Sequence, residues 1–140
     1  MSYTNREVAQ GVNWGFELSN SSGSFWAASG SPRWTGRLPT KILFAIDALQ
    51  DLGYPVNFVV YSYGTPIAFK ILGEWIIPDV YYSATTAKQK SNLSLPGAKI
   101  IPADISLEEL TRVVLGLMEY VPKGRNELRT KPGRKYVEGE

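Results

Sequence analysis

Apolar residues at Ile42, Leu43, Ala45, Ile46, Leu49 and Leu52 recur three and four positions apart, the spacing that gathers them on one helix face. Pro39 at the opening and Gly53 just past the end are the expected helix punctuation. Asp47 and Asp51 then share its solvated side. The pattern changes at residues 56–63, which are β-branched and aromatic, and strand character resumes at 67–72, 75–77 and 80–83, between turns at Gly64-Thr65-Pro66 and Gly73-Glu74. This predicts an antiparallel meander, with Pro66 and Pro78 at strand starts, bulges or edges because neither can donate to a ladder. Residues 84–93 are more polar and predict a short helix capped by Ser83 or Thr85 and ended by Pro96. Residues 99–102 suit one more edge strand. Ser106 with Glu109 forms a capping box ahead of Leu107, Leu110, Val113, Val114, Leu117 and Met118, predicting a second main helix closed by Pro122.

Residues 1–36 read differently. Trp14, Phe16, Phe25, Trp26 and Trp34 interrupt a Gly/Ser/Asn-rich stretch, and a disordered linker does not normally carry five large rings. This aromatic arm is expected to pack on its own core, on a neighbouring subunit or on a ligand. Short strands are expected at 12–18 and 24–28, and homo-oligomerisation is the expected way to hide the remaining rings. The organisation is therefore an aromatic arm (1–36), a core domain (37–122) and a basic flexible tail (123–140). The fold class is α+β: a small antiparallel sheet of three to five strands, with two main helices packed on one face because each has a single apolar stripe.

Composition narrows the chemistry. The 140 residues are 44% apolar, enough for one real core, and include no cysteine and no histidine. Disulfides, thiolate nucleophiles, the commonest metal ligands and the commonest neutral-pH acid/base are absent. Neither a cofactor nor a metal is expected. The carboxylates at Asp47, Asp51, Glu74, Asp79 and Asp104 show no spacing that suits a glycosidase or two-metal site, and no catalytic residue is assigned. A mechanism built on Ser, Thr, Tyr or Lys stays open as a lesser alternative. With no leader-like start and no bilayer-length apolar run, a cytoplasmic protein is expected.

The net charge of +2 is unevenly spread: residues 123–140 carry six basic and three acidic side chains, leaving nine basic against ten acidic, or −1, in residues 1–122. A tail with Arg125, Arg129, Lys131, Arg134 and Lys135 suits either a nucleic-acid tether or a solubilising extension.

The run Tyr61-Ser62-Tyr63-Gly64-Thr65-Pro66-Ile67-Ala68, followed by Trp75, Pro78 and Tyr82-Ser83-Ala84-Thr85-Thr86-Ala87-Lys88-Gln89, resembles a small uncharacterised bacteriophage and prophage domain family. That family carries a Thr-Pro-Ile-Ala strand and a Tyr-Ser-x-Thr-Thr-x-Lys turn. The resemblance covers about thirty residues. Its members often have Ser and His where this chain has Ala87 and Gln89, so no proton-transfer role carries over to that position. The resemblance implies a protein acting inside a bacterial host, in host modulation or counter-defence, through host-protein or nucleic-acid targets. The residues themselves point to one corner. Hydroxyls of Ser83, Thr85 and Thr86 at a helix start, with Lys88 and Lys90 a turn further on, favour an anion, and Tyr63, Tyr81 and Tyr82 offer ring faces to a base or sugar. With Thr65 and Gln89 they form the candidate site of a non-enzymatic module for a small anionic or nucleotide-like ligand or a host protein. The same hydroxyls and rings also serve ordinary capping and sheet packing.

Overall fold

The computed structural model describes residues 3–91, 93, 95, 97–122 and 128–130. A five-stranded sheet runs in chain order: β1 (Phe25–Ser29), β2 (Val56–Ser62), β3 (Thr65–Ile71), β4 (Glu74–Pro78) and β5 (Lys99–Ile101). The fold is α+β, and the described residues form four helices: α1 (Asn5–Asn13), α2 (Thr40–Asp51), α3 (Ala84–Ser91) and α4 (Leu107–Val114). β2 to β4 form the expected antiparallel meander, and β1, from the arm, adds an antiparallel strand beside β2; Pro66 sits at a register shift while Pro78 closes β4. β5, however, lies parallel to β4, so the sheet is mixed. The reason is the crossover through α3, which returns the chain to the end where β4 began. Residues 80–83, expected to extend the meander, form no strand.

The sheet separates two apolar layers. On one face Ile42, Ile46 and Leu49 of α2 and Leu110 and Val113 of α4 pack against Val59, Phe69 and Ile71, as the two main helices were expected to do. Each such side chain contributes about 1.5–3 kcal/mol by leaving water. On the other face Val8, Ala9 and Val12 of α1 cover Phe25, Val60, Ile67 and Trp75. The arm thus packs on its own core, and the strand expected over 12–18 is absent: residues 12–13 end α1, and 14–18 form a turn and an irregular stretch. The sequence carried the signal for α1. Thr4 and Glu7 form a capping box, Thr4 Oγ1 accepting from Glu7 N and Glu7 Oε1 accepting from Thr4 N. The strand expected at 24–28 is present as β1. Trp26 stacks on Tyr61 at 4.0 Å, but Trp14, Phe16 and Trp34 remain exposed.

α4 is shorter than its apolar pattern implied. Gly116 takes φ 78, and its N–H bonds to Val113 O while Leu117 N bonds to Arg112 O, a left-handed stop that ends the helix well before Pro122. Met118 still reaches the α2/α4 core. A two-stranded antiparallel sheet follows, β6 (Tyr120–Pro122) with β7 (Leu128–Thr130). Pro96, Arg125, Lys131, Arg134 and Lys135 lie outside the described residues, and Arg129 is placed only as backbone, paired with Val121. Among the described residues no helix is long and apolar enough to cross a membrane.

Candidate functional site

The β2–β3 turn places Tyr63 and Gly64 at φ 50 and 77, the pair of positive values a two-residue hairpin requires. Leu72 and Gly73 do the same in the next turn, so this geometry serves the hairpin rather than a ligand. Its effect is to stand Tyr63 exposed at the sheet end. Against it comes the loop before α2. Gly36, at φ 47, abuts Gly64 and Thr65, and Arg37 N donates to Thr65 Oγ1 at 2.8 Å. Arg33 N donates to the buried Tyr61 hydroxyl at 2.9 Å, fixing the loop a second time. The Arg37 guanidinium then lies 5.5 Å from the Tyr82 ring centre and donates to Tyr82 O at 3.3 Å.

Ser83 caps α3 as expected, accepting from Thr86 N at 3.1 Å. Its hydroxyl is also 3.1 Å from Thr86 Oγ1, which is 2.9 Å from Ser62 Oγ, which in turn donates to Gln89 Oε1. Ser62, Thr86 and Gln89 are buried. This polar seam joins α3 to the end of β2. Arg37, Ser62, Tyr63, Thr65, Tyr82, Ser83 and Thr86 line a cavity of about 210 Å³ there.

On the other side of Tyr82 and Thr86 lies a larger cavity of about 520 Å³, walled by Tyr81, Ala84 and Ala87 with Asp79 and Lys90. Lys90 Nζ donates to Pro78 O at 3.2 Å and Val80 O at 3.4 Å, anchoring the loop to the helix. Burial lowers the Lys90 pKa while the Asp79 charge opposes the shift; burial raises Asp79 while Lys90 opposes it. Burial also pushes the Tyr82 phenol up to about 12, against the pull of Arg37. Between pH 10 and 12 the native protein holds a proton that the unfolded chain has lost, so this group's contribution to stability falls as pH rises through that window. Ultraviolet titration of phenolate formation should therefore show a late class of tyrosines. Arg37→Met should move Tyr82 later still, since the opposing cation is gone.

The structure thus brings together Tyr63, Thr65, Tyr82, Ser83 and Thr86, with Gln89 behind them. Thr85 and Lys88 are exposed and line neither cavity, because the α3 turn that buries Thr86 and Gln89 points them outward. Tyr81 and Lys90 belong to the larger lobe. Sequence reasoning missed Arg37, Ser62 and Asp79 as site residues. Nothing local marks Arg37, whose partners come from β3 and the segment before α3, whereas Ser62 lay within the noted motif.

The class so defined is a small α+β domain with a two-lobed cleft where the β4–α3 loop meets a hairpin turn. Residues 3–94 match the model of a family described as "Family of unknown function (DUF8033)", and the chain belongs to that family. The match takes in α1 to α3 and both lobes of the cleft. No curated protein and no solved structure matches the chain.

Proposed function

We propose that the protein is a non-enzymatic binding module whose cleft holds a small anionic, nucleotide-like ligand. The observation that carries this reading is Arg37: a sequence-distant cation laid over Tyr82 at the edge of a cavity ringed by hydroxyls of Ser62, Thr65, Ser83 and Thr86. A guanidinium with convergent hydroxyl groups suits phosphate or carboxylate oxygens. The larger lobe, with Tyr81 and the methyl groups of Ala84 and Ala87, suits the flat apolar part of such a ligand. The lack of any His or Cys supports binding over catalysis. The phage-family resemblance of the 61–89 segment supports a role in modulating a bacterial host process.

Native mass spectrometry of gently purified protein, followed by calorimetry with nucleoside monophosphates, tests the reading. Arg37→Met should weaken binding about 10- to 100-fold, the loss of one charge-assisted hydrogen bond. Undiminished affinity in a folded Arg37→Met protein would sink the assignment.

A further inference from the structure

We propose that the smaller cavity is a subsite for a phosphoryl-type oxyanion, and that its hydroxyl donor is switched on by rotation of the buried Gln89 amide. This rests on reading the cleft as an anion site and adds how the anion is read.

Each hydroxyl in the seam has one proton, which fixes the direction of the whole chain. Gln89 Oε1 can only accept, so Ser62 Oγ, 2.5 Å away, points its proton to it. Ser62 Oγ must then accept from Thr86 at 2.9 Å, and Thr86 Oγ1 from Ser83 at 3.1 Å. Ser83 Oγ already accepts from Thr86 N. The polarity runs inward, from Ser83 through Thr86 and Ser62 to Gln89. Ser83 has committed its proton inward and offers the cavity only lone pairs, which repel an anion.

Gln89 is 1% exposed, and its Nε2 has no hydrogen-bond partner. Turning the amide by 180° brings an Nε2 N–H against Ser62 Oγ, with the 2.5 Å separation lengthening to an ordinary N–H···O distance. The chain then reverses. Gln89 donates to Ser62, Ser62 to Thr86 and Thr86 to Ser83, and the Ser83 proton is released toward the cavity beside Arg37. The inward orientation leaves the buried amide NH₂ unpaired, which limits its advantage and lets the occupant decide. An oxyanion selects the outward polarity; a group that donates a proton selects the inward one. Gln89 therefore acts as a positioning residue, reached only through Ser62 and Thr86.

The test is an NMR titration of the ¹⁵N-labelled full chain with inorganic phosphate. Saturable shifts are expected at the Ser83 and Thr86 amides and, with the same midpoint, at the Gln89 side-chain NH₂, which gains an acceptor. Gln89→Glu, whose carboxyl keeps an acceptor for Ser62 and has no N–H to give it, should hold the chain inward and weaken phosphate about 10-fold or more. Saturating shifts at Ser83 and Thr86 with a stationary Gln89 NH₂ would overturn the relay. So would a Gln89→Glu protein that binds phosphate normally while Arg37→Met does not, and either result would leave the anion site standing. No phosphate response at any of these positions would remove the subsite and the anion reading together. The wild-type Gln89 signal decides the matter alone should Gln89→Glu not fold.

Discussion

Gly36→Ala is expected to destabilise the protein by about 3 kcal/mol, the combined effect of left-handed strain and a collision that side-chain motion cannot relieve. A Cβ at this position would lie 2.2 Å from Thr65 Oγ1, 2.7 Å from Gly64 O and 2.7 Å from Thr65 Cα, at a φ of 47. Two of those three atoms are backbone, so the loop and the hairpin must part. Parting them breaks the Arg37 N to Thr65 Oγ1 bond and withdraws the guanidinium from Tyr82. Chemical denaturation would measure the stability loss, and calorimetry on the remaining folded fraction would show lost ligand binding. Arg37→Met provides the contrast: it should lose binding with little loss of stability, because Arg37 is exposed. Equal stability of Gly36→Ala and wild type would mean that the loop does not press on the hairpin.

Val12→Asp should have the larger effect, on the order of 4 kcal/mol, enough to unfold a domain of ordinary stability. Val12 is 1% exposed within the apolar cluster of Phe25, Val60 and Ile67, so a carboxylate there would be buried among hydrocarbon. Circular dichroism and thermal melting would report it. A melt close to wild type would mean that α1 does not cover this face of the sheet. The neighbouring Asn13→Asp, on the exposed side of the same helix, serves as the control and should change stability little.

Where a single physical signal dominated, the sequence was legible. The three- and four-residue spacing and the glycine stop placed α2; β-branched runs broken by Gly pairs placed β2 to β4; the Ser106–Glu109 box placed the start of α4. Where two signals competed, it was not. Aromatic and Gly-rich surroundings masked the Thr4–Glu7 box, and the apolar stripe running on to Met118 hid the stop at Gly116. The parallel pairing of β5 depends on where a crossover returns the chain, which no local pattern encodes. The candidate site divides the same way. Ser83 as cap and the burial of Thr86 follow from local helix geometry, but Thr85 and Lys88 could be sorted from Gln89 only once the buried side of α3 was known. Arg37 needed the tertiary fold, because residues 37 and 82 meet only after the sheet has brought their loops to one end.

The parallel pairing also ties the cleft to the sheet's edge. The connection from Pro78 to Lys99 lets Ile76–Pro78 meet Lys99–Ile101, and residues from 79–91 within it line both cavities. Asp79 N bonds to Ile101 O at 2.9 Å, so the first residue of the cleft wall is stapled to the last residue of the edge strand. Any excursion that peels β5 away releases the cleft wall, and a ligand that grips the wall holds β5 down. The two behave as one opening unit. Backbone amides of β5, which touch no ligand, therefore register occupancy of the cleft through slower exchange with solvent.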